Sequence, residues 1–320
     1  MDQTKRTQKA AKYIKNLLNT AALPRNQVAA LSGLSNGYIL HLENGQIANV
    51  NRKKLIAFAV SLSLDLFEID RMLTLFDRAK LDEDDIPLFI ERVGNRRLSS
   101  ALLPLHTSFS YELFILNEEK VPGKLVIVND RPTANTLPPG YRTYFNKNTI
   151  NHHPIFLKLI ESIGRARRDN FLNLLENFQV EHYICRDCFF DYMDKYQSGD
   201  ERLWRQKHLQ LMTEDMKNHS NLKIFITDYC PKFNFTIKIP DNLNENSEKL
   251  FFLGNSPHSE ILDERIQILG FGTENKTIVQ NFKKTLTLTQ GSVVENIRSN
   301  HRLKKFIKSL TGIPHSFLQT

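Results

Sequence analysis

The stretch from Leu23 to Gly45 constrains this chain most, because two short helices and the turn between them can be read from it residue by residue. Pro24 suits the first turn of a helix, Val28, Ala29 and Leu31 supply its inward side, and Gly33 ends it. Ser35 caps a second helix that turns Ile39 and Leu42 inward and stops at Asn44-Gly45. Leu34 plugs the core at the turn, and the small Ala29 lets the two helices approach closely. Flanking segments continue the pattern. From Thr7 to Asn19, Ala10, Ile14, Leu17 and Leu18 recur at helical spacing with Lys9, Lys12 and Lys15 on the other faces. Asn51 caps a fourth helix built on Leu55, Phe58, Ala59 and Leu62, and Leu66, Ile69, Leu73 and Phe76 supply a fifth. The expectation is an all-α five-helix domain over residues 1–78.

Charge singles out the same region. Nine Lys/Arg stand against Asp2 and Glu43 between Met1 and Ile56, a balance of +7 out of the whole chain's +8. Positive charge concentrated on one small domain is the footprint expected for a nucleic-acid backbone, and equally what a solvated basic helix face would carry.

At Leu23, Ala29, Gly33, Leu34, Ser35, Tyr38, Ile39, Leu42, Glu43 and Gly45 the segment resembles the Cro/lambda-repressor-like family, also called the XRE family, of helix-turn-helix regulators. Leu55, Phe58-Ala59 and Leu62 match the core helix that follows in that family, so the resemblance runs from Tyr13 to Leu73. It implies a lambda-repressor-like fold, double-stranded DNA as partner, and a homodimer spanning two half-sites. Asn36, Gly37 and His41 fall at base-reading positions. Arg25 stands where the family commonly carries a Gln that touches phosphate, and Asn44, Asn51, Arg52 and Lys53 are expected at phosphates. Ser35 and Tyr38 complete the DNA-facing set, whereas Glu43 is expected to act at the helix end. Asn suits bidentate contact with adenine, and Gly37 removes a side chain the family commonly uses.

Beyond Phe76 a helical connector is expected over 79–104, with one helix from Ile86 to Val93. The remainder, 105–320, reads as an α+β or α/β domain. Its expected strands are Glu112 to Leu116, Lys124 to Val128, His182 to Cys185, Leu222 to Thr227, Phe233 to Ile239, Lys249 to Leu253 and Arg265 to Phe271. Helices are expected over Pro154 to Phe178, Arg186 to Tyr196, Glu201 to His219, Lys276 to Lys284 and Val293 to Leu310. The natural roles for such a domain are dimerisation and the sensing of an unidentified ligand.

Three cysteines, Cys185, Cys188 and Cys230, are too few and odd in number for a disulfide framework. His182, Cys185 and Cys188 have the short spacing that can seat a soft metal or a redox pair, with Cys230 as the candidate fourth ligand, and also that of cysteines packed at a strand-to-helix boundary. Arg165, Arg167 and Arg168 interrupt an apolar helix stripe, where they would bind an anion or pair with acids. His152-His153 before Pro154 reads as a turn. Gly270-Phe271-Gly272, with Thr273 and Asn275, would hold an anion at a helix start. No Walker-type glycine loop or His-Glu-x-x-His pattern occurs, so neither an enzyme nor a resident cofactor is expected. No apolar run approaches the roughly 18–20 residues of a membrane span, and no apolar signal core follows the basic N-terminus. The chain therefore reads as a cytoplasmic transcriptional regulator, most simply a dimeric repressor. The alternatives are a catalytic C-terminal domain behind an autoregulatory helix-turn-helix, and a helix-turn-helix used for protein contact.

Overall fold

The computed structural model describes residues 3–21, 23–47, 49–92, 102–105, 108–146, 152–194, 199–230, 233–242, 247–254, 270–297 and 299–311. It begins with helices α1 (Gln3–Thr20), α2 (Arg25–Ser32), α3 (Asn36–Glu43), α4 (Arg52–Ser61) and α5 (Leu66–Leu75). Local chemistry sets their ends. The Ser35 side chain accepts from the Tyr38 amide, Asn51 accepts from those of Lys53 and Lys54, and Asp65 and Glu68 form a reciprocal capping box. Gly33, at φ 68°, donates its amide to the Ala29 carbonyl and closes α2 in a conformation that suits glycine. A single 3-10 turn, Glu83–Asp85, then leads into α6 (Ile86–Arg92).

The core of these helices does not end with them. Ile14, Val28, Ile39, Leu42, Leu55, Phe58, Leu66, Ile69 and Leu73 belong to one buried cluster with Leu81, Ile86 and Phe89. The same cluster takes in Phe109, Leu113 and Leu116 of α7 (Ser108–Glu119) and Phe156, Leu159, Ile160 and Ile163 of α9 (Phe156–Asn177). Expected connector residues 81–92 are thus packed against the five helices, and 93–101 lie outside the described residues.

The second region is built on an eight-stranded mixed sheet. Its strands are β1 (Leu103–Leu105), β2 (Gly123–Asn129), β3 (Val180–Cys185), β4 (Leu222–Thr227), β5 (Asn234–Pro240), β6 (Lys249–Leu253), β7 (Gly270–Thr273) and β8 (Val293–Ile297). They lie in the order β1-β7-β6-β5-β2-β3-β4-β8. β2, β3 and β4 run parallel, and every other pairing is antiparallel. Parallel neighbours need crossovers. α8 (Tyr141–Asn146) and α9 link β2 to β3, while α10 (Arg186–Asp194) and α11 (Gly199–Asn218) link β3 to β4. One face carries Ile127, Val180, Ile184, Ile224 and Ile226 against Phe171 and Leu175 of α9, Leu209 and Met212 of α11, and Leu303 of α13 (Asn300–Thr311). The opposite face carries Val126, Val128, Phe235 and Ile237 against Val279 and Leu286 of α12 (Lys276–Gly291). The result is an α+β protein.

Two expectations are corrected. Glu112 to Leu116 is not a strand but the middle of α7. Phe109, Leu113 and Leu116 face the helical core, whereas Phe114 and Ile115 face a second cluster with Leu103, Leu105 and Phe251. A helix buried on two sides is apolar nearly throughout, which is how a buried strand reads. Val293 to Leu310 is not one helix: Val293–Ile297 pairs with β4 as an edge strand before α13 begins. The strand expected over Arg265 to Phe271 is described only at Gly270 and Phe271, the first half of β7.

Candidate nucleic-acid interface

α2 and α3 are joined by residues 33–35, and the two helices differ in what covers them. Leu31 of α2 packs into the cluster of Leu103, Leu105, Phe114, Ile115 and Phe251, which anchors α2 to the sheet region. α3 buries only Ile39 and Leu42. Asn36, Gly37, Leu40, His41 and Asn44 are exposed and, being three or four residues apart, form one stripe along the helix. A Cβ added at Gly37 would meet nothing within 4 Å, so the stripe is open there. Leu40, 42% exposed, was not foreseen, although its spacing from Asn36, Gly37 and Asn44 places it on the same face.

The remaining residues of the expected set divide between surface and internal roles. Lys53 is exposed, and Asn51 uses its side-chain oxygen to cap α4. Ser35 is exposed, its hydroxyl engaged as the α3 cap. Tyr38 is half-buried with the Lys54 ammonium 4.4 Å from its ring centroid. Burial pushes its phenol up, partly countered by the Asn51 backbone. Arg25 pairs with Glu43 at 2.5 Å, so the start of α2 is tied to the end of α3. That contact gives Glu43 the helix-end role read from the sequence. His41 shares a hydrogen bond with Gln46. Arg52 is held by both Asp85 oxygens and by the carbonyls of Ala79 and Lys80, and so clamps α4 to the chain after α5. α1 presents Lys5, Lys9, Lys12 and Lys15 to solvent. α1 lies near the end of α3: a Cβ on Gly45, at φ 66°, would stand 3.2 Å from that of Ala11.

Several charged groups of the sheet region point inward instead. Arg167 reaches Glu119 at 2.7 Å and Glu112 at 2.6 Å, and Arg142 also holds Glu112 at 2.9 Å. Burial would raise the Glu112 carboxyl, but Arg142 and Arg167 outweigh it and hold it down at about 2. Arg168 pairs with Asp215, and Lys249 with Glu118 at 2.9 Å. The fully buried Lys238 donates to the Gly123 carbonyl, and burial pushes its ammonium down to about 8. Arg167 and Arg168 are thus internal partners of acids, while exposed Arg165 bonds Ser162. Buried His153 meets Asp70 of α5 at 3.0 Å. Asn275 caps α12 by accepting from the Thr277 and Ile278 amides, which engages part of the helix start expected to hold an anion.

Cys185, Cys188 and Cys230 come together, with all three sulfurs within 4.8 Å of one another. His182 does not join them. Strand alternation turns it to the face of Val180 and Ile184, opposite Cys185, and burial pushes its imidazole down to about 3. His208 on α11 is likewise held down at about 3 by burial, and its ring meets Tyr192, Thr136 and the Thr133 carbonyl.

Comparison with protein-family models, curated proteins and solved structures returns no match. Among the described residues, no helix is long and apolar enough to cross a membrane.

Proposed function

We propose that the chain is a sequence-specific double-stranded DNA-binding regulator of transcription, acting as a homodimer, with α3 as the helix that enters the major groove. The carrying observation is the exposed stripe Asn36, Gly37, Leu40, His41 and Asn44 on a capped helix, in a region that also exposes Lys5, Lys9, Lys12, Lys15 and Lys53. Amide, imidazole and small apolar groups on one helix face are the chemistry that reads base edges: an Asn paired with adenine, an aliphatic group against a thymine methyl. The exposed lysines supply the sequence-independent attraction to phosphate. One such helix makes few base contacts, and a dimer across half-sites about 34 Å apart doubles them. In this reading the lambda-repressor-like fold spans α1 to α5, and the sheet region serves dimerisation and signal input. Because Leu31 joins α2 to the sheet region, a ligand preferring one arrangement of these elements would shift DNA affinity by linkage.

Equilibrium binding of the full chain to duplex DNA over a salt series tests this. The logarithm of affinity should fall linearly with that of salt, by about 0.9 per phosphate neutralised. Lys53→Ala should reduce the slope by about 1 while leaving sequence preference intact. A salt-independent affinity would remove DNA from the account. It would favour the second reading, a protein-docking helix, for which the exposure of Leu40 is the specific support.

A further inference from the structure

The three cysteines lie where the chain brings two separate segments together at the carboxyl ends of parallel strands. Cys185 ends β3, Cys188 sits in the first turn of α10, and Cys230 follows β4. Carboxyl ends of parallel strands are where open sheets with helices on both faces place their ligands. The two segments are also fastened to each other beside the sulfurs: Arg186 pairs with Asp228 at 2.8 Å, and the Thr227 hydroxyl reaches the Ile184 carbonyl at 3.4 Å. Cysteine placement here is therefore set by contacts other than the sulfurs themselves.

From this geometry we infer that Cys185, Cys188 and Cys230 form a three-thiolate site for a thiophilic d10 metal ion, Zn²⁺ being the representative case. The Cys188 and Cys230 sulfurs stand 3.6 Å apart. Two sulfurs of a tetrahedral zinc centre, each about 2.3 Å from the metal, are separated by about 3.8 Å. The observed spacing matches that edge and exceeds by far the roughly 2.05 Å of a disulfide. A third sulfur within the same 4.8 Å distinguishes the cluster from a two-cysteine redox pair.

Cysteine binds a metal ion as the thiolate, so the thiols lose their protons as the metal arrives. Binding replaces up to three S–H bonds with three metal–sulfur bonds and releases up to three protons, with no change of oxidation state. Cys188 and Cys230 are only half-buried, which gives an ion access. Among the described residues no fourth His, Cys or carboxylate joins the group, so a tetrahedral ion keeps one position for solvent or an added ligand.

Co²⁺, the spectroscopic stand-in for Zn²⁺, tests the site in the reduced full chain, followed by displacement with Zn²⁺ against a chromophoric chelator. The expected result is one metal per chain, a thiolate-to-cobalt charge-transfer band with tetrahedral visible bands, and their loss on adding Zn²⁺. Cys185→Ser, Cys188→Ser and Cys230→Ser should each weaken Zn²⁺ binding by more than about 100-fold, beyond what loss of an outer partner costs. His182→Gln should leave the stoichiometry and the band unchanged. A reduced chain, folded by circular dichroism, that shows no charge-transfer band overturns the proposal. So does a chain that takes no metal but loses two hydrogens on mild oxidation as Cys188 and Cys230 join. Neither outcome bears on DNA binding, which uses other residues.

Discussion

The α3 surface and the seam beneath α7 treat polar side chains in opposite ways. On α3, Asn36, His41 and Asn44 are exposed, and the helix buries only Ile39 and Leu42. Beneath α7, Glu119, Arg142 and Arg167 are buried and close a network with the half-buried Glu112. The first arrangement leaves hydrogen-bonding capacity for a partner. The second satisfies it internally, because an unpaired charge away from water would be severely destabilising. Charge content alone therefore says little about where a partner binds; its direction relative to the core decides.

Breaking the inward network should have the largest effect. Arg167→Met takes from Glu119 its paired guanidinium and leaves Glu112 with Arg142 alone, and should cost about 3–5 kcal/mol of stability, read from denaturant unfolding. An equal loss from Asn36→Ala would erase the distinction between the two regions.

The next effect is on acid stability. The Glu112 carboxyl, held at about 2 against an ordinary 4.5, contributes stability that is complete above about pH 4.5 and lost as pH falls toward 2. The contribution is about 3 kcal/mol. His182 and His208 add to the same limb from higher pH. Each stays neutral in the fold down to about 3, so stability falls from about pH 6.5 downward as the unfolded chain takes up protons. In urea titrations across this range, Glu112→Gln should make the limb below pH 4.5 shallower, the histidine contribution persisting down to about pH 3, and leave the part between 6.5 and 4.5. An unchanged lower limb would contradict the role given to Arg142 and Arg167.

Smaller effects sharpen the outward face. Asn36→Ala should cost about 1–3 kcal/mol in DNA affinity at one base position only, whereas Arg25→Ala should weaken all sequences alike. Gly37→Ala should raise stability by up to about 1 kcal/mol, because the position is helical and open and alanine has fewer unfolded conformations to lose. A loss of stability there would mean that the stripe is covered.

These contrasts also explain what the sequence disclosed. Helix ends in the first region are fixed by residues three apart, Ser35 with Tyr38 and Asp65 with Glu68, so local reading suffices. Arg167 meets its acids 48 and 55 positions away, Arg52 meets Asp85 after 33, and Cys188 meets Cys230 after 42. No local spacing encodes such pairs. α7 misread as a strand for a related reason: its second apolar face exists only because β1 and β6 pack against it. Leu40 was legible in principle, since helical spacing alone puts it beside Asn36 and Asn44.

Selection of bound fragments from random duplex DNA, run on the full chain and on an Asn36→Ala, His41→Ala double variant, tests the outward role of α3 most directly. The account predicts that the native chain enriches a palindromic motif with half-sites one helical turn apart. The variant should keep its non-specific, salt-sensitive binding but lose preference at those positions. A folded native chain that enriches no motif, or a double variant that enriches the same one, would contradict it.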